Sequence, residues 1–177
     1  DSLGNIVLKS AKIESIPTLS SLSGSGTEAS PYLIKNENDW KIVSAHPKEQ
    51  VNYLVEGNLN FSTNKYYMLG SESSPFQGNI NGNMKQISNI TINASQELSL
   101  GMFGTANGAK IHEFDIDNIT IHARNTVGSL IGTATDVDVY VIDVYNGKIL
   151  SYDSGSLTAG LIGTSTTGNI KVKEIIL

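Results

Sequence analysis

Apolar residues in this chain fall in short runs bounded by glycine, and one such run recurs. Leu100-Gly101-Met102-Phe103-Gly104, Val127-Gly128-Ser129-Leu130-Ile131-Gly132 and Ala159-Gly160-Leu161-Ile162-Gly163 are each followed at once by threonine, namely Thr105, Thr133 and Thr164. The closing glycines lie 28 and 31 residues apart, a spacing at which repeats mean stacked architectures. Counted from each glycine, position seven holds Ile111, Val139 and Ile170, position ten holds Phe114, Ile142 and Lys173, and position twelve holds Ile116, Val144 and Ile175. Ile87, Ile90 and Ile92 show the same spacing 24 residues before Ile111, Phe114 and Ile116, which predicts a further turn upstream. Asn118 likewise matches Asn146, and Ile121 matches Ile149.

These segments are rich in Ile, Val, Thr and Gly and too short between glycines for helices of about ten residues or more, so strands are expected. The fold class that follows is all-β: a right-handed parallel β-helix in which like residues of successive turns stack about 4.8 Å apart. Its glycines belong at corners, where positive φ or close approach favours a residue without Cβ. The N-terminal half has one change of period. In Asn38-Asp39-Trp40-Lys41-Ile42-Val43-Ser44-Ala45, Asn38 offers an N-cap and Trp40 and Val43 a one-sided apolar stripe, predicting a short helix near 38–45 that stops before Pro47. Such a helix would cover the open end of the coil. Residues 1–23 carry no clear assignment, and 24–177 form the β-helix module.

The chain of 177 residues suits a single domain. Its charged share of 16% is low, so solubility rests on Asn, Ser, Thr and Gly. The net charge of -5 and a lone arginine, Arg124, leave no basic stripe, which argues against nucleic acid as a partner. Cysteine is absent, ruling out disulfides and thiolate metal sites. No apolar run approaches the length of a transmembrane segment. The first residues include neither Met nor a signal peptide, and the last are the apolar Ile175-Ile176-Leu177. The expectation is a piece truncated at its C-terminal end, with other domains of the same longer chain as neighbours.

The combination of Gly24-Ser25-Gly26-Thr27 with Pro31-Tyr32-Leu33-Ile34, of Phe76-x-Gly78 with Ile80-x-Gly82, and of the recurring Gly-x-Phe/Ile-Gly resembles the GLUG-motif β-helical proteins. The resemblance covers about residues 24–177, with Ser129 as an extra residue in the second glycine run. It implies a module of bacterial surface adhesins, or an accessory region beside zinc peptidases of the immunoglobulin A peptidase type. The expected role is a non-catalytic binding or spacer module, secreted or on the cell surface, with a host or cell-surface protein or glycan as partner. Alternatives are the accessory domain of a secreted zinc peptidase and a carbohydrate-active β-helix. A zinc peptidase helix needs His-Glu-x-x-His. Here His112-Glu113 is followed by Ile116 where the second histidine belongs.

Eleven residues past the glycines, Asp115, Asp143 and Glu174 predict an outward column of carboxylates. Calcium is the cofactor such oxygen ligands would hold, although a solvated outer face is the commoner outcome for exposed acids; no other cofactor is implied. Arg124 is a single candidate for a lyase-type base and is more simply surface charge. Thr105, Thr133 and Thr164 predict a hydroxyl ladder that bonds across its own turns. His112 and His122 read as ordinary surface histidines. Asn60, Asn89, Asn93 and Asn118 each begin an N-x-Ser/Thr sequon, of consequence only in a glycosylating secretory route. The spacing of Tyr53, Tyr66, Tyr67, Tyr140, Tyr145 and Tyr152 does not place them on one face.

Overall fold

Like side chains of successive turns do meet. In the computed structural model, which describes residues 17–93, 97–123, 125–151 and 157–177, the described residues form one helix, α1 (Glu37–Ser44), and fifteen strands. The first five are β1 (Tyr32–Ile34), β2 (Asn52–Val55), β3 (Leu59–Asn60), β4 (Asn79–Asn81) and β5 (Gln86–Asn93). The repeat region follows as β6 (Ser99–Leu100), β7 (Phe103–Asn107), β8 (Lys110–Ala123), β9 (Thr126–Gly128) and β10 (Ile131–Thr135). It continues through β11 (Val137–Tyr145), β12 (Lys148–Ser151), β13 (Thr158–Ala159), β14 (Ile162–Ser165) and β15 (Ile170–Ile176). The N-terminal segment 1–23 is described only from residue 17, with a 3-10 turn at Leu19–Ser21 and a buried Leu22.

The strands stack as a parallel β-helix. The largest sheet has the order β1-β2-β4-β8-β11-β15, with β3, β5 and β12 alongside, and two narrower sheets have the orders β7-β10-β14 and β6-β9-β13. Every pairing of named strands is parallel. Inside, the rungs are aliphatic: Ile80, Ile111 and Val139 lie in register, as do Leu59, Ile87, Ile116 and Val144. Most of these are fully enclosed, each contributing about 1.5–3 kcal/mol of burial.

Helix α1 begins two residues earlier than the sequence suggests. Asn36, not Asn38, is the N-cap: its backbone is extended, and its Oδ1 accepts from the N–H groups of Asn38 (3.0 Å) and Asp39 (3.1 Å). Trp40 and Val43 are buried as the apolar stripe requires. The indole Nε1 donates to the Tyr67 carbonyl (2.8 Å), and its ring meets those of Phe61, Tyr66 and Phe103. The helix thereby closes the core beside β7, the outermost strand of its sheet.

Two parts of the repeat register differ from a fixed count: the upstream isoleucines match the second of two identically spaced triplets in β8, Ile116, Ile119 and Ile121, and the last turn is shifted by a short insertion. Ile87 stands opposite Ile116, not Ile111, because Ile80 is the partner of Ile111. The turn at Asn83 and Met84, both with positive φ, adds two residues that the next turn lacks. In the last turn, Val172 rather than Ile170 faces Val139, and Ile175 faces Ile142. Two extra residues sit between Ser165 and Ile170, where Gly168 adopts φ +94° against Asp136. Lys173 therefore leaves the core column and lies opposite Tyr140.

The glycine runs owe their composition to close approach and not to handedness of the backbone. Gly101, Gly128, Gly132 and Gly163 are absent from the positive-φ glycines. A Cβ on Gly128 would lie 2.3 Å from the Ile131 carbonyl oxygen, 2.4 Å from that of Leu161 and 2.6 Å from the Gly163 nitrogen. Ser129 is extra only against the first run, where Leu100 pairs with Val127 but Phe103 pairs with Ile131; the third run has the same length as the second, with Thr158 opposite Val127 and Ile162 opposite Ile131, so the first run is the one that is short. Gly128→Ala is expected to lower stability by about 2–4 kcal/mol, since backbone must move to admit the methyl group. Gly108→Asn, at φ +68° with nothing within 4 Å of a Cβ, is expected to be nearly neutral. Urea denaturation of the two variants checks this; equal losses would remove close approach as the reason for the glycines.

Candidate functional site

The acidic column is shorter than the sequence count implies. Asp115 and Asp143 are opposed across adjacent turns. The residue facing Asp143 on the other side is Ile176, and Glu174 drops out of the column because of the two-residue insertion before β15. The Glu174 side chain lies outside the described set, as do Arg124 and Tyr152. Among the described residues, no group of three His, Cys, Asp or Glu side chains is placed to hold a metal ion. Asp115 is half-buried, with one carboxylate oxygen enclosed and lacking a hydrogen-bond partner among the described residues. Burial first, then the charges of Asp143 and Asp117, push its pKa above the ordinary carboxyl value.

Asparagine at one corner forms a ladder of its own. Asn89, Asn118 and Asn146 have φ of 59°, 56° and 53°, in the left-handed region that asparagine tolerates better than other side chains. The Asn89 Nδ2 donates to Asn60 Oδ1 (3.0 Å), and the Asn118 Nδ2 donates to Asn89 Oδ1 (2.7 Å). Asn146 continues the row by donating to Asp117 (2.8 Å). Three of the four sequons thus have a structural origin: a corner asparagine is followed by an inward Phe61, Ile90 or Ile119 and then by Ser or Thr. The fourth, at Asn93, stands outside this ladder, and its Ser95 is outside the described residues.

A second polar chain crosses the outer face of the large sheet. The Gly26 carbonyl, which can only accept, receives the Asn52 Nδ2 (3.1 Å). Asn52 Oδ1 then accepts from Asn79 Nδ2 (2.8 Å), which leaves Asn79 Oδ1 facing His112 Nε2 at 3.1 Å. The chain therefore has one sense, and it requires the proton of neutral His112 to sit on Nε2. The Nδ1 atom faces Glu113 Oε1 at 3.3 Å. Burial holds the imidazole pKa below its ordinary value against the opposing effect of Glu113. His112 is not the surface histidine its sequence context suggests. It is 8% exposed because the Tyr140 ring of the next turn stacks on it, 4.5 Å between centroids and 12° from parallel.

The threonines are also in register, Thr105 with Thr133 and Thr133 with Thr164. They do not form the expected hydroxyl ladder, however. Thr133 pairs instead with Ser99 Oγ (2.7 Å), and the Thr105 hydroxyl is buried with no partner among the described residues. One cross-turn hydroxyl pair lies two residues further on, where Thr135 meets Thr166; the preceding turn has Asn107 at that position. Of the tyrosines, Tyr53 and Tyr66 are core residues, Tyr67 and Tyr140 are half-buried, and Tyr145 is exposed.

No family model matches the chain, and no solved structure matches it. Among curated proteins it is similar to halomucin of Haloquadratum walsbyi, with 29% identity over 119 residues. That match takes in 63% of this chain and 1% of the relative, so the chain spans about one hundredth of the length of the protein it resembles.

Two outcomes follow from the ladders and the acidic pair. Asn118→Ala removes a cross-turn bond and places Cβ chemistry less suited to positive φ, so a loss of about 1–3 kcal/mol is expected in chemical denaturation, with Asn118→Gly recovering part of it. Asp115 has a raised folded-state pKa, so its contribution to stability is complete below the ordinary value of 3.8 and lost as pH rises through the raised value. Asp115→Asn is accordingly expected to melt roughly 1–2 °C higher than the parent at pH 7 and with no difference at about pH 3. Thermal melts at the two pH values decide it.

Proposed function

We propose that this chain is a non-catalytic binding and spacer module of a secreted or cell-surface protein, adhesin-like in its role and of the GLUG-motif kind. The observation that carries the reading is the stack of parallel strands itself. Repetition along one axis makes a stiff body whose length grows by adding turns, and whose outer faces repeat polar side chains at fixed spacing. The similarity to a stretch that makes up 1% of halomucin fits a module within a much longer protein. The use of outward side chains supports the reading as well. The amides of Asn52, Asn79, Asn89 and Asn118 are tied to one another or to His112, which is the arrangement of a rigid surface and not of a set of groups poised to react.

No described helix is long and apolar enough to cross a membrane. Retention of the folded chain on immobilised mucin, collagen and fibronectin is the test. Saturable retention on at least one of them, abolished by heating above the melting temperature, is expected; absence of retention on all three overturns the binding role.

A further inference from the structure

The two ends of the coil are finished differently. At the N-terminal end α1 lies against the core, the Glu37 carboxylate accepts from the Asn60 N–H (2.7 Å) on β3, and Leu33 of the edge strand β1 donates its N–H to the Ser23 carbonyl (2.8 Å). At the other end β12, β13, β14 and β15 each pair on one side only, with no described strand beyond them. We propose that this C-terminal end is an interface between two copies of the chain, which meet end to end about a two-fold axis with their β15 strands antiparallel.

Apolar surface is concentrated at that end. Among the described residues, six of the eight large hydrophobic side chains left exposed are Tyr145, Leu150, Leu157, Val172, Ile176 and Leu177, all in the last turn or on the strand edges next to it. Leu177 is 68% exposed and borders a cleft of about 430 Å³ that Ile121, Val144 and Ile149 also line, so the open surface reaches the core. The exposed area of the six comes to roughly 500–600 Å² per copy, and two copies together remove about 1,000 Å² or more from water, the size at which specific interfaces begin. Unpaired strand edges add N–H and C=O groups that a neighbouring strand satisfies.

The sequence of β15 is complementary to itself. Ile170, Val172 and Ile175 stand in register with the buried Val137, Val139 and Ile142, and so share their inward face. Leu177 lines the cleft with Val144 and continues that face. One antiparallel register sets all four inward positions against inward positions: Val172 against Ile175 of the other copy, and Ile170 against its Leu177. The same register opposes Lys173 to position 174, a glutamate, and the two-fold axis makes this happen twice. Opposite charges at facing positions favour a strand pair and like charges oppose it. Apolar pattern and charge pattern therefore select one alignment.

The closed N-terminal end decides the symmetry. Stacking head to tail needs an open face at both ends of each copy and propagates into a filament, whereas the C-terminal end set on its own copy closes after two.

Sedimentation equilibrium of the 177-residue chain tests the proposal. A dimer with Kd of about 10 µM or tighter is expected. Val172→Asp is expected to weaken it tenfold or more, while the circular dichroism and the melting temperature of a dilute sample match the dilute parent. Lys173→Glu is expected to weaken it about fivefold, and the exchange of Lys173→Glu together with Glu174→Lys to restore the parent value. A role of Lys173 within its own chain would not be rescued by that exchange. The proposal is overturned by a chain that stays monomeric up to about 100 µM, which assigns the open end to another occupant such as a further turn of coil. It is equally overturned by a dimer that Val172→Asp leaves intact, or by a charge exchange that fails to restore association.

Discussion

At Gly128 and Gly132 the backbones of neighbouring strands come so near that a Cβ on either would lie within 2.7 Å of several main-chain atoms. The constraint propagates. Because β6, β9 and β13 meet β7, β10 and β14 at these glycines, the two narrow sheets are locked to one another, and the register of each turn on the next is set there. With register fixed, aliphatic side chains fall on aliphatic side chains along the large sheet, and the core fills without long-range coincidence. An insertion in one turn is then absorbed locally, in a turn such as that at Gly168, without disturbing the rungs that follow.

Polar groups obey the same repetition. A corner that needs positive φ in one turn needs it in the next, so asparagine recurs at Asn89, Asn118 and Asn146, and recurrence brings the amides within bonding distance. At the other corner, Glu113 and Val141 hold equivalent positions with φ of 58° and 55°. For a β-branched residue such as Val141 this is a strained conformation, tolerated because the rungs on either side, at Tyr140 and Ile142, are held by pairing on both edges. The coil is thus stiff because each rung leaves its neighbours little choice, and that stiffness is what a spacer requires.

Much of this was legible in the residues. The glycine runs, their threonines, the pairing of Val139 with Ile111 and of Ile142 with Phe114, and the buried face of α1 all follow from apolar period and glycine placement. What escaped was anything that depends on counting through a turn of variable length. The third acidic position was misplaced by a two-residue insertion, since a fixed offset assumes that all turns are equally long, and the upstream ladder was placed five residues too early because Ile116, Ile119 and Ile121 repeat the spacing of Ile111, Phe114 and Ile116. His112 was hidden for a different reason. Its burial comes from Tyr140, 28 positions away in sequence, and no local pattern announces a stacking partner in the next turn.

The chain of amides from Gly26 through Asn52 and Asn79 to His112 has a property that none of its members has alone. Each link is a donor on one side and an acceptor on the other, and the first acceptor is a peptide oxygen that has no alternative. To turn over any one amide would oppose like atoms at both of its ends, so the members must keep their orientation together or lose it together. Three turns of the coil are in this way coupled by direction as well as by contact: a disturbance at the Gly26 loop would be felt as a change in which nitrogen of a distant imidazole carries its proton.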